Sequence, residues 1–377
     1  MTAMAGPPAT RGGLRGWFLR LLTRPEVQAR AARLPFGRRL ARRDGAEIFD
    51  ILQGFVKSQV LLALVETGSL RALLDGARTP EYLARAAEIP AHRMAALLQG
   101  GAALGLLTRR RDGRYALARR GAVILGVPGL EAMIRHNRAF YADMADPVAL
   151  LRGEGETELA RFWPYVFGQA GEVAPEVAER YSDLMAQSQR LVAEDVLRAV
   201  SLSGARVLMD VGGGTGAFVS AALTAHPVLQ AVLVDLPEVL EAARPRLGAA
   251  GVASRVTLRP MSFREADLPE GADTASLVRV LYDHADGTVR ALLANVYRAL
   301  PPGGRLIVAE PMAGGTRPEA AGDLYFAFYT MAMGTGRARS AAEIAALCEE
   351  AGFVVRHSPR PQRPYVTSVM VCEKPEV

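Results

Sequence analysis

Four glycines crowd into the five positions from Gly212 to Gly216, directly behind the short apolar run that Leu208 and Met209 open. A strand that ends in such a turn and restarts as a helix at Ala217 is half of a βα unit, so the chain is committed to an α/β sheet around it. The bare backbone permits a tight turn and lets a charged ligand approach the chain closely. The alternation continues on either side. Residues 206–211, 231–235, 255–258, 274–281 and 305–310 read as strands, with helices starting at Ala217 and Pro237. Residues 353–357 and 365–372 are different. The stretch Ser358 to Pro364 between them is too short for a crossover helix, so these two strands have to be antiparallel neighbours.

Glycines alone do not choose the ligand. Gly212, Gly214 and Ala217 satisfy a loose dinucleotide pattern, which keeps a nicotinamide dehydrogenase as a competing reading. The acidic residues decide against it. Asp210 stands two residues before the first glycine, where a carboxylate would repel a pyrophosphate but suits the ammonium end of a methionine moiety. Asp235 ends the second strand, placed to accept hydrogen bonds from two ribose hydroxyls. Both aspartates, with a mostly parallel sheet closed by a reversed final hairpin, point to S-adenosyl-L-methionine as cofactor.

The 377 residues exceed what one core usually organises, and the charge divides them further. Residues 1–44 hold ten arginines against Glu26 and Asp44, although the whole chain carries only +6. Within this basic arm Leu14, Trp17, Phe18, Leu21 and Leu22 recur at helical spacing beside Arg15 and Arg20, a pattern suited to peripheral contact with an anionic membrane. Residues 45–125 read as a winged-helix domain whose hairpin turns at Asp112-Gly113. The segment before that hairpin is apolar apart from His92, Arg93 and Gln99, so it is expected to dimerise rather than read nucleic acid. Residues 126–195 are expected to be linking helices that contribute to a substrate pocket, and 196–377 the cofactor-binding domain. Cys348 and Cys372 are the only cysteines and lack metal-ligand spacing, so neither a disulfide framework nor a metal site is expected. No secretory signal or membrane span is legible, which makes the cytoplasm the expected compartment, with the arm on the inner membrane.

From Arg279 through Val280-Leu281-Tyr282-Asp283-His284 and Asp286 to the run Pro302–Glu310, the chain resembles the plant-type small-molecule O-methyltransferases. Within that family the likeness runs toward bacterial enzymes of carotenoid synthesis. The resemblance implies a Rossmann-like methyltransferase domain behind a mostly helical winged-helix dimerisation domain, a homodimer, and a lipophilic hydroxycarotenoid substrate. It implies cofactor contacts at Gly212, Gly214, Asp235, Met261, Ser262, Phe263 and Arg279. The family's general-base histidine falls on Tyr282, and Glu310 matches the carboxylate that orients that histidine. A phenol is a poor base at neutral pH, so Tyr282 is expected to hold the substrate hydroxyl, with His136 as the alternative proton acceptor. Met144, Met185, Tyr325, Phe328 and Met331 are the expected pocket wall, methionine suiting a long apolar ligand. Another lipophilic alcohol, a phenol or a tetrapyrrole is the alternative substrate, and a winged-helix regulator that has lost catalysis is the alternative class.

Overall fold

The computed structural model describes residues 13–31, 33–162 and 189–376. The chain divides into two compact units, Met1–Ala122 and Val123–Val377. In the first, helices α1 (Leu14–Leu22), α2 (Pro25–Ala31), α3 (Pro35–Leu52) and α4 (Gly54–Glu66) lead into shorter helices and a two-stranded hairpin. Proline opens α2 and α3, where its missing N–H costs nothing and its fixed φ suits the first turn. The boundary expected at residue 44 is not a boundary. It falls inside α3, a single run of 18 residues that continues through Gly45 with no proline after its first residue. The hairpin pairs β1 (Leu107–Arg109) with β2 (Tyr115–Leu117) antiparallel. Gly113 takes φ +81° at its tip, and Asp112 accepts a bond from the Arg114 N–H at 3.1 Å. The helix before it, Ala91–Ala103, turns Met94, Leu98 and Gly101 inward at helical spacing, against Leu64 and Leu107. That face is consumed by the unit's own core.

The second unit is built on a seven-stranded sheet in the order β5-β4-β3-β6-β7-β9-β8. Its members are β3 (Val207–Val211), β4 (Gln230–Asp235), β5 (Val256–Pro260), β6 (Thr274–Val278), β7 (Arg305–Glu310), β8 (Val354–His357) and β9 (Ser368–Glu373). The five strands β3 to β7 are parallel, and β9 slots antiparallel between β7 and β8. Only β9 is reversed, as the short connection before it demands. Parallel strands covered by helices on both faces read as continuous apolar runs, and alternate side chains feed two cores. Met209, Val234, Leu277 and Val308 enter one core, and Leu208, Leu233, Ile307 and Val371 the other.

One reading of secondary structure is corrected. The strand expected over 274–281 stops at Val278, and a 3-10 turn occupies Leu281–Asp283. The segment that carries Tyr325, Phe328 and Met331 is a π-helix, Ala320–Phe326, followed by an α-helix, Ala327–Ala332. The boundary expected at 195 also lies within helix, since residues 189–199 are helical. Among the described residues, no single helix is long and apolar enough to cross a membrane.

Candidate active site

The carboxyl ends of β3, β4, β6 and β7 converge on one edge of the sheet, which is where open α/β sheets bind ligands. After β3 the glycine turn departs, with Gly212, Gly214 and Gly216 all at positive φ. Gly213 is required for a different reason: a Cβ there would lie 2.3 Å from Asp210 Oδ2 and 2.4 Å from Leu233 Cδ1. Asp210 is therefore beneath the turn, fully buried, and not at its mouth. It shares a face of β3 with the core residue Leu208, as period-two alternation dictates. Ser276 on β6 donates its hydroxyl to Asp210 Oδ1 at 2.6 Å, while Oδ2 is buried with no hydrogen-bond partner. Burial pushes the Asp210 carboxyl up to about 7, against the pull of Ser276.

Asp235, at the end of β4, accepts from the Gly214 N–H at 2.7 Å and from the Leu236 N–H at 2.8 Å. It pins the glycine turn to the neighbouring strand. Burial raises this carboxyl to about 6, opposed by those two N–H donors. Beyond β5, the Met261 N–H donates to the Asp235 carbonyl at 2.9 Å, and Phe263 meets the His284 ring edge-on with centroids 5.4 Å apart. Ser262 caps the following turn, its hydroxyl accepting from the Arg264 N–H at 3.3 Å. Thus Asp235, Met261, Ser262 and Phe263 follow one another from the end of β4 to the end of β5.

The segment after β6 is held from two sides. Arg279 adopts φ +58°, an uncommon region for a residue with a side chain, and its N–H donates to the Ala309 carbonyl on β7 at 2.7 Å. Glu310, fully buried at the end of β7, accepts the backbone N–H groups of Val280 at 2.9 Å, Leu281 at 2.8 Å and Tyr282 at 3.4 Å. From the other side Arg339, 2% exposed, donates to the carbonyls of Leu281 at 2.8 Å and His284 at 2.7 Å. Asp286 anchors that guanidinium at 2.6 Å, and Arg337 and Arg339 draw its carboxyl down to about 2. Glu310 acts here on backbone rather than on a ring. Burial raises it to about 7 in spite of its N–H donors.

This clamp fixes Tyr282, whose hydroxyl oxygen accepts from Arg279 Nη2 at 3.2 Å. Burial lifts the phenol above its ordinary range, against the Arg279 charge. Asp283, beside it, is pushed well above the carboxylate range by burial and by the Glu310 charge, and its Oδ1 is buried without a partner. His284 accepts from Arg264 at 2.9 Å, since burial and two arginines lower it to about 4 and keep it neutral.

Of the expected pocket wall, Met144, Tyr325 and Phe328 pack on one cluster with Phe140, Tyr329 and Met333. Phe140 meets Tyr325 and Tyr329 edge-on at 5.8 and 5.5 Å, and the two tyrosines stack at 5.9 Å. His136 joins them, its Nε2 2.8 Å from the Tyr329 hydroxyl, with burial lowering the imidazole to about 4. Met331 does not join. It is 38% exposed, on the outward side of the helix Ala327–Ala332. Met185 lies outside the described residues. Sequence reasoning missed Gly213, Ser276, Asp283 and Arg339; only the pairing of β3 with β6 and the return of 337–339 to the turn reveal them.

A glycine turn with three positive-φ residues, over one buried carboxyl that has an unpaired oxygen and beside a second, fits a cationic adenosyl ligand better than a pyrophosphate. Among the described residues no cluster could hold a metal ion. The model of the O-methyltransferase domain family matches residues 141–354. The chain is 56% identical to demethylspheroidene O-methyltransferase of Cereibacter sphaeroides, covering 98% of both proteins. It is 49% identical to the Rhodobacter capsulatus protein of the same name, over 98% of this chain and 92% of that one. A methyltransferase of calicheamicin biosynthesis, solved with S-adenosylhomocysteine, superposes with a TM-score of 0.73 at 27% identity, over 88% of this chain and 98% of its own. The chain belongs to the O-methyltransferase family and uses S-adenosyl-L-methionine as its methyl donor.

Proposed function

We propose that the chain methylates the tertiary hydroxyl of an acyclic hydroxycarotenoid; its relatives at 56% and 49% identity are named demethylspheroidene O-methyltransferases, which supports O-methylation of a substrate of that kind. The observation that carries the reading is Tyr282, a buried phenol standing where the wider family has a general-base histidine. A tertiary alcohol is far too weak an acid for histidine to ionise in advance, so such a base would be of little use. The bound cofactor supplies a methyl group on an already activated sulfonium. What the protein adds is alignment, exclusion of water and a place for the proton. Tyr282, neutral and fixed by Arg279, orients the hydroxyl. His136, kept neutral by burial and bonded to Tyr329, is the alternative proton acceptor. Asp235, Gly212, Gly214, Met261, Ser262, Phe263 and Arg279 hold the cofactor, with Asp210 supporting the turn from below. Met144, Tyr325 and Phe328 bound the polyene.

The assembly proposed is a homodimer. Ile48, Phe49, Ile51, Leu52 and Phe55 are each more than half exposed along the end of α3 and the start of α4, a patch that a second copy would cover. The test of function is to incubate the purified protein with labelled S-adenosyl-L-methionine and a panel of hydroxylated carotenoids, phenols and tetrapyrroles. Label confined to the carotenoid alcohols is expected. Transfer to phenols alone would overturn the reading.

A further inference from the structure

The first unit presents two apolar surfaces with different electrostatic surroundings, and the difference identifies what covers each. The patch at the end of α3 is edged by opposite charges that pair internally, Arg43 with Glu47 at 2.9 Å and Lys57 with Asp50. It offers a partner no net charge. Helix α1 is another matter. Leu14, Trp17 and Phe18 share one side of it and are 89%, 63% and 50% exposed. At 100° per residue Arg15 and Arg20 fall on opposite borders of that apolar arc. No acidic residue lies within α1; Leu21 and Leu22 continue the same face into the last turn, where they are half-buried and Gln28 of α2 donates to the Leu22 carbonyl at 2.8 Å.

We propose that α1 docks on an anionic lipid bilayer, burying Leu14, Trp17 and Phe18 among the acyl chains while Arg15 and Arg20 reach the headgroups. Several features fit that occupant. An arginine on each border can extend upward while its stem covers apolar surface. Tryptophan is favoured at the boundary between headgroups and chains. The helix is about 13 Å long, which suits lying in the interface and not crossing it. The surrounding arm carries ten arginines against two acids within residues 1–44, the charge an anionic leaflet attracts. The purpose given to this surface rests on the carotenoid reading, since a polyene alcohol dissolves in the bilayer. Its geometry does not.

The test sediments the full chain with vesicles of phosphatidylcholine alone and of phosphatidylcholine mixed with phosphatidylglycerol. Binding to the mixed vesicles only is expected. Each arginine removed should weaken binding about fivefold, so Arg15→Gln with Arg20→Gln should lower it about thirtyfold. Trp17→Ala with Phe18→Ala should abolish it while cofactor affinity and turnover on detergent-dispersed substrate stay at wild-type levels. Equal binding to both vesicle types, or unchanged binding by both double variants, would overturn the proposal. So would dissociation of the dimer by Trp17→Ala with Phe18→Ala, which would give the face to a second copy. Intact vesicle binding with no turnover of any carotenoid would sink the substrate reading and leave the lipid surface standing.

Discussion

Arg279 Nη2 donates to the hydroxyl oxygen of Tyr282 at 3.2 Å, with its guanidinium carbon 5.7 Å from the centre of the same ring. One cation thus fixes the phenol and faces it. Burial nonetheless keeps the phenol protonated above its ordinary range, so at neutral pH Tyr282 is a hydrogen-bonding group and no base. Tyr282→Phe is expected to lose about ten- to a hundredfold in kcat/KM on the carotenoid alcohol, the worth of one hydrogen bond in a buried site. Tyr282→His should bring no gain on that alcohol yet open activity on a comparable phenol, which an imidazole can deprotonate. Wild-type rates for Tyr282→Phe would reduce Tyr282 to a space-filler and make His136 the next residue to replace.

Asp235 has two duties, and one variant separates them. Its carboxylate pins Gly214 and is also the group proposed for the ribose hydroxyls. Asp235→Ala should weaken S-adenosyl-L-methionine binding by about 1.5–3 kcal/mol, the scale of charge-assisted hydrogen bonds. Asp235→Asn keeps an oxygen for the Gly214 N–H and should lose less. Calorimetric titration of both variants checks this, and an unchanged affinity in Asp235→Ala would remove the ribose assignment.

Adjacent glycines in the turn are expected to fail differently. Gly213→Ala drives a methyl against Asp210 Oδ2 and Leu233 Cδ1, so it should destabilise the fold by about 1–3 kcal/mol, as overpacking does. Gly214 has no atom within 4 Å of its absent Cβ, although its φ is +59°. Gly214→Ala should cost only about 1–2 kcal/mol of backbone strain while reducing cofactor affinity, because the methyl fills the open side of the turn. Urea unfolding alongside calorimetry distinguishes the two. Equal losses of stability and affinity in both variants would refute the distinction.

Much of this fold is legible in the residues because its strands are continuous apolar runs and its turns are marked by glycine and aspartate. The reversal of β9 follows from the shortness of 358–364 alone. The site is less legible, for reasons of pairing. Val280 and Leu281 resume the apolar run of β6 after Arg279, but Arg279 leaves the extended region at φ +58° and the strand stops at Val278. Glu310, from a strand some thirty residues on, then takes the N–H groups that a ladder would have used. Asp210 sits at the end of a strand, but the pleat turns it under the loop. Arg339 is one arginine among many until its segment returns to the carbonyls of Leu281 and His284.

Glu310 offers a pH signature that belongs to the clamp. Its carboxyl is raised from 4.5 to about 7 in the folded protein, burial outweighing three N–H donors. Between those two values the native state binds more protons than the unfolded chain. Stability therefore falls as pH rises through that window, and the protonated form gives the more stable fold. A displacement of that size corresponds to about 3 kcal/mol. Glu310→Gln keeps an oxygen for the N–H groups of Val280 and Leu281 but cannot ionise. Relative to this variant, the wild type should lose about 3 kcal/mol of unfolding free energy between pH 4.5 and 8. Groups that do not feel the Glu310 charge, His136 and His284 among them, cancel in the difference, while Asp283, which that charge helps to raise, widens the gap in the same direction. The measurement is urea unfolding of the pair at half-unit steps of pH. Parallel curves would show that Glu310 titrates as in water and that its side chain has left the turn; a gap widening toward high pH, with the variant the more stable, places the buried carboxylate under the backbone that presents Tyr282.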